Sequence, residues 1–181
     1  KFEPVPETFF IPIVESQTYE LEKADRAPAP DFSVRFNRSI RLDESETELV
    51  EVKFTPRPLG GATIEGWAWD FGDGVTSSDR TPTHVFPGRG PYNVRLEAHL
   101  SGGRRVASIQ RTMVAGRDDI DETASPAAVS DFAQAVARYP FDRMAPERLR
   151  PLLPLLRRER YTAELMEAGK ALAQAGKGTA D

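Results

Sequence analysis

Imidazoles, thiols and paired carboxylates do most of the chemistry that proteins perform at neutral pH, and this chain has few of the first two. Among 181 residues there are 2 histidines, His84 and His99, and 0 cysteines. That composition excludes disulfide frameworks, thiolate zinc sites, iron–sulfur clusters and cysteine nucleophiles. His99 falls on the polar side of a strand with Arg95 and Glu97 and reads as surface. His84 shares a strand face with Phe86 and reads as a structural histidine hydrogen-bonded near the Gly72-Asp73-Gly74 turn; the sharper alternative is a ligand or a base. There is no Gly-x-Ser-x-Gly, no His-Glu-x-x-His and no phosphate-binding glycine loop after a strand. Gly176-Lys177-Gly178-Thr179 lacks a Ser or Thr directly after the lysine, so it is a tail and not a phosphate loop. Asn37-Arg38-Ser39 fits a glycosylation acceptor, which matters only in a eukaryotic secretory pathway.

The remaining charge is carried by carboxylates and arginines. Asp43, Glu44, Glu46 and Glu48 form one group of candidate calcium ligands, and Asp118, Asp119 and Asp121 another. Calcium needs six to eight oxygens converging on one point, and acidic runs in loops are mostly solvated, so no metal and no cofactor is expected. Arg143, Arg148, Arg150, Arg157, Arg158 and Arg160 lie close together in sequence, with only Asp142, Glu147 and Glu159 among them. Such a run is either the solvated side of amphipathic helices or a docking surface for an acidic partner or anionic polymer. On the second reading Arg148, Arg150, Arg157, Arg158 and Arg160 are the partner-binding candidates. The whole chain carries a net charge of -4, a poor balance for binding nucleic acid.

These residues have to be held by elements. The chain contains 15 prolines and 13 glycines, which speaks for many turns and against an all-helical fold. Residues 1–29 carry Pro4, Pro6, Pro12 and Pro28 and read as a proline-rich extension or edge strand. Residues 30–116 read as β: Val50, Val52 and Phe54 alternate with Glu51 and Lys53, Trp67, Trp69 and Phe71 share a face, and Tyr92–Leu100 is apolar at every even position. Ser101-Gly102-Gly103 supplies a tight turn to the next strand. An acidic linker spans 117–125. Residues 126–181 read as a small helical unit whose starts are Ser125-Pro126 and Ala145-Pro146 and whose last helix is ended by Gly176 and Gly178. The sandwich is expected to fold alone, whereas the helices must bury Leu149, Leu152, Leu153, Leu156, Leu165 and Leu172 against each other, the sandwich or another chain. No apolar run approaches the ~20 residues of a membrane span. A first residue of Lys reads as a processed or excised piece of a longer chain.

Trp69-Asp70-Phe71-Gly72-Asp73-Gly74, then His84-Val85-Phe86, then Gly90-Pro91-Tyr92-Asn93-Val94-Arg95-Leu96 resembles the PKD domain, an immunoglobulin-like module common on microbial surface proteins. The resemblance implies a β-sandwich in which Trp69, Asp70, Phe71, Gly72, Asp73, Gly74, His84, Phe86, Gly90, Tyr92, Val94 and Leu96 are the structural motif. It implies Trp69 between the sheets and a Tyr92 hydroxyl pinning the preceding corner. Many members carry an Asp/Gly-rich stretch before the Trp strand; here Pro56–Thr63 has no carboxylate, which argues against calcium there. The fold class expected is therefore mainly β, a PKD-type sandwich followed by helices. The function the resemblance implies is a non-catalytic module, extracellular, at the cell surface or periplasmic, that spaces or contacts a protein partner within a larger assembly. The alternatives are an ancillary domain of a secreted hydrolase and a carbohydrate-binding module.

Overall fold

The computed structural model describes residues 29–42, 45–115 and 125–177. The extension 1–28, most of the acidic linker, and Asp43, Glu44, Asp118, Asp119 and Asp121 lie outside the described residues, as does the Glu46 side chain.

The described residues form seven strands: β1 (Phe32–Leu42), β2 (Ser45–Pro56), β3 (Ile64–Asp70), β4 (Thr76–Ser77), β5 (Thr83–Pro87), β6 (Gly90–Leu100) and β7 (Arg105–Val114). They build two antiparallel sheets with orders β1-β2-β5 and β4-β3-β6-β7. The alternation of β6 is realised in full, with Tyr92, Val94, Leu96, Ala98 and Leu100 all buried. Trp69 pairs with Leu96 across β3 and β6, so both point into the space between the sheets. There Trp69 is 1% exposed and packs against Phe32 and Phe54 at ring-centroid distances of 5.3 and 5.6 Å. Its indole N–H donates to Asp79 O at 2.9 Å, so the large apolar body is buried without stranding its polar tip.

After the sandwich come α1 (Pro126–Val136), α2 (Pro146–Leu149), α3 (Leu153–Arg158) and α4 (Thr162–Lys177). Ser125 caps α1, its hydroxyl accepting from Ala128 N at 3.2 Å. Pro151 and Pro154 do not break the chain's helical course. Each sits in the first turn of a new segment, a 3-10 turn at Arg150–Leu152 and then α3, where no helical bond is lost with the missing N–H. The last helix runs through Gly176 to Lys177, so that glycine does not end it.

The helices do not form a separate core. Val129, Phe132, Val136, Phe141, Leu149, Leu152, Leu155 and Leu156 cluster with Ile40, Leu49 and Val85 of the three-stranded sheet. On β2, Val50, Val52 and Phe54 enter the inter-sheet core while Leu49 faces the helices. That sheet is therefore packed on both faces where the helices lie.

Candidate functional site

The motif residues converge on the seam between sandwich and helices. β3 ends at Asp70, and the chain must reverse into β4 within a few residues. Gly72 makes the turn at φ 78°, and a Cβ there would lie 2.7 Å from Asn93 O. Gly74 comes next at φ 98°, and a Cβ there would lie 2.6 Å from Arg143 O, in the helical unit. Both positions need glycine for conformation and for close backbone approach. Asp70 Oδ1 accepts from Gly72 N at 2.9 Å, and Asp73 Oδ1 accepts from Val75 N at 3.1 Å, so each carboxylate ties down one side of the turn.

The second Asp73 oxygen reaches inward to His84. Nε2 of His84 lies 2.7 Å from Asp73 Oδ2, and both side chains are almost wholly buried. Phe71 stacks on the imidazole at 4.1 Å and Phe86 meets it edge-on at 4.6 Å. On the other side stands Tyr139, from the turn after α1, with its hydroxyl 3.2 Å from His84 Nδ1. That hydroxyl also accepts from Val85 N at 3.0 Å and donates to Val85 O at 2.7 Å. With Nε2–H directed at the carboxylate, Nδ1 and the Val85 carbonyl compete for one hydroxyl proton. Burial pushes the Tyr139 phenol well above its ordinary pKa, and the negative charge of Asp73 adds to the effect.

A second contact crosses the seam. Tyr92 is buried and donates its hydroxyl to Gly88 O at 3.1 Å, which ties the corner before β6. Arg148 of α2 lies over the Tyr92 ring at 4.1 Å and donates to its oxygen at 2.7 Å. Burial raises the phenol pKa, with the arginine opposing. Arg148 thus stands apart from the proposed partner-binding arginines: its guanidinium is engaged within the chain. Arg150, Arg157, Arg158 and Arg160 are exposed. Arg160 closes α3 in the left-handed region at φ 61°, with Tyr161 N bonded to Leu156 O at 2.9 Å, a helix end where glycine is usual. Of the remaining motif residues, Gly90 opens β6 at φ 129° and Val94 and Leu96 are buried.

Arg38 of β1 makes a third link, to Asp131 of α1 at 3.0 Å and to Glu51 of β2 at 3.2 Å, and lies 5.0 Å from the Phe132 ring centroid. Sequence reading singled out neither this residue nor Tyr139 as a link. A tyrosine before a proline carries no pattern that distinguishes a partner of a strand edge from a surface ring.

This arrangement ties the turn after β3 and the β5 edge to Tyr139, which follows α1. Among the described residues His84 bonds Asp73 and the Tyr139 hydroxyl. His84 lines a cleft of about 260 Å³ together with Thr76, Ser77, Thr83, Arg138 and Tyr139. No group of three or more metal-ligating side chains gathers among the described residues, where Glu48 is buried and paired with Arg89. His99 bonds Glu97 at 3.0 Å on the sheet surface. Trp67 is half-buried and packs against the core. Among the described residues the large exposed apolar side chains are Val34, Ile109, Met113 and Met166. No helix among the described residues is long and apolar enough to cross a membrane.

Comparison with known proteins bears on the sandwich. A stretch of 56 residues is 40% identical to Collagenase ColA of Bacillus cereus, covering 31% of this chain and 6% of that protein. A stretch of 101 residues is 29% identical to Microbial collagenase of Vibrio alginolyticus, covering 56% of this chain and 12% of that protein. The chain thus spans a small fraction of these curated relatives. Among solved structures, the PKD1 domain of Vibrio anguillarum Epp aligns over 51% of this chain and 100% of its own, at 20% identity and a TM-score of 0.38. The PKD1 domain of the Vibrio cholerae metalloprotease PrtV aligns over 48% and 98%, at 23% identity and a TM-score of 0.36. Residues 28–115 match the family described as PKD domain, and that part of the chain is a PKD domain.

Proposed function

We propose that this chain is a non-catalytic module of a larger exported bacterial protein, and that the PKD sandwich and the helices act together as one rigid spacer that presents a contact surface. The observation that carries this reading is the inward use of the polar groups at the motif. Asp73, His84 and Tyr139 satisfy one another and the Val85 backbone, and the hydroxyl that meets the imidazole is itself tied to Val85 N and O. The likeness of its sandwich to short stretches of two collagenases favours an ancillary role in a secreted protease, with the chemistry in another part of the parent protein. Arg150, Arg157, Arg158 and Arg160 are the exposed cations of the helical unit that would meet an acidic partner. The experiment is incubation of the purified chain at high concentration with gelatin and casein. No cleavage is expected. Turnover that disappears in a folded His84→Ala variant would assign the imidazole a catalytic role and end this reading.

A further inference from the structure

Among the described residues the two sheets have four edges, and three are shortened, bulged or covered. β4 is two residues long. β1 is interrupted by a register shift between Phe36 and Arg38 and carries Arg35, Arg38 and Arg41. The β5 edge is taken at Val85 by the Tyr139 hydroxyl. Short, bulged, charged and covered edges are the usual protections against strand pairing. β7 carries Arg105 and Arg111, but among the described residues it is neither short, bulged nor covered. It pairs with β6 over ten residues, from Gly90↔Val114 to His99↔Arg105, without a shift. Among the described residues its backbone bonds nothing beyond β6; Ser108 and Gln110 reach Pro30 O and Asp31 Oδ1 through side chains only. Two of the four large exposed apolar side chains are on it, Ile109 at 67% and Met113 at 61%.

We propose that β7 pairs antiparallel with the β7 of a second copy of this chain, joining two four-stranded sheets across a two-fold axis at Ile109. The sequence of the strand is self-complementary in that register. Its outward residues are Arg105, Ala107, Ile109, Arg111 and Met113. With Ile109 opposite itself, Arg111 faces Ala107 and Arg105 faces Met113, so no arginine opposes another. Sliding by two residues one way sets Arg105 against Arg111. Sliding the other way sets Ile109 against Arg111 and loses the apolar pair. Like charges directly opposed are unfavourable and apolar cross-strand pairs are favourable, so the register is defined.

Sedimentation equilibrium of the full chain, from low micromolar to near-millimolar concentration, is expected to show a monomer–dimer equilibrium. Ile109→Lys and Ile109→Glu each place like charges on the axis and should raise the dissociation constant roughly tenfold or more. Mixing the two variants should restore association. Because the chain has 0 cysteines, Ile109→Cys can form a disulfide only between chains. Directly opposed strand residues lie within disulfide reach, so it should cross-link with itself. Ala107→Cys should cross-link with Arg111→Cys and not with itself. Melting curves establish that each variant is folded. A wild-type chain that stays monomeric throughout, or Ile109→Cys cross-linking no faster than a cysteine at exposed Ser101, overturns the proposal. So does a dimer unaffected by Ile109→Lys, and so does capture of an extended Val/Thr-rich peptide by a monomer, which would give the edge to a foreign strand.

Discussion

At β5 a tyrosine from the helical unit satisfies both backbone groups of Val85, while at β7 ten residues of regular edge have no further strand among the described residues and Ile109 and Met113 are exposed. Both strands belong to one sandwich and have the same unpaired backbone chemistry on their outer side. They differ in how the later part of the chain treats them. Residues 125–177 return to β5 and use Tyr139 and the apolar faces of α1–α3 to cover it and the rest of its sheet, while Arg148 reaches Tyr92 of β6. Covering an edge takes a folded element with its own buried area, and among the described residues that element lies on β5 and not on β7. The difference identifies the helical unit as part of the sandwich's packing and leaves β7 as the side where contact with another chain meets least obstruction.

The largest expected effect tests the frame that holds both edges. Trp69→Ala should cost around 3–5 kcal/mol, as large aromatic truncations in cores do. Both edges should be lost together in one denaturation transition. A midpoint near wild type would mean that the aromatic cluster of Phe32, Phe54 and Trp69 does not carry the sandwich. Next comes Gly74→Ala, which strikes the covered side alone. The new methyl would meet Arg143 O at 2.6 Å on a backbone at φ 98°, so either the turn or the helical unit must move. A loss of roughly 2–3 kcal/mol is expected from strain at such a position. Hydrogen exchange should rise at Phe141–Met144 and stay unchanged at the β6–β7 amide pairs. Equal loss at both places would show that the two sides are not separable.

Tyr139→Phe is a smaller and more selective break. Removing the hydroxyl leaves Val85 N–H, Val85 C=O and His84 Nδ1 without their partner at the floor of the cleft, at a cost of about 1–3 kcal/mol. The Val85 amide should exchange faster while the outward amides of β7 do not change. If Val85 protection survives in the variant, water replaces the hydroxyl and the edge is covered by packing alone.

The contrast between the edges was only partly legible from sequence. Period-two alternation in β6 and the Trp-Asp-Phe-Gly-Asp-Gly turn placed the sandwich core, because a strand with one buried face writes that face into every second residue. The motif also reached as far as the Asp73–His84 pair, since the turn and the strand are close in sequence. It could not reach Tyr139, 55 residues from His84, because a side chain that caps an edge needs no periodic neighbour. The helices were readable as helices from Val129, Phe132, Ala133 and Val136, yet the surface they would cover was not, as any apolar face satisfies the same pattern. Arg148 shows the reverse problem: a charge run in sequence scattered in space, one member onto a tyrosine ring and the others into solvent. Strand order decides which edges stay open, and order depends on long-range pairing that local pattern does not encode.

The smallest expected effect lies on the open side and is read through pH. Glu97, on the outward face of β6, accepts from Arg95 Nη2 at 2.6 Å and bonds His99 Nε2 at 3.0 Å, with Arg105 of β7 at 3.7 Å. Burial acts to raise its pKa, but the bonds from His99 and Arg95 and the nearby charges outweigh it, so the folded value lies below the ordinary 4.5. A carboxylate with a depressed folded pKa contributes stability that is fully present above the unfolded value and is lost as pH falls through the folded one. The contribution belongs to a solvent-screened surface group and should be ~1 kcal/mol or less. Thermal melts of wild type and Glu97→Gln should therefore differ slightly above pH 4.5 and converge as the pH is lowered past it. Protonation also leaves Arg95, beside Ile109, and Arg105 without their counter-charge, so acid should weaken association through β7 in the wild type and much less in the variant, where that charge is already absent. Curves that stay parallel down to the acid limit would show that the carboxylate holds β6 and β7 together by shape and not by charge, and would remove Glu97 as an electrostatic restraint on this side of the sandwich.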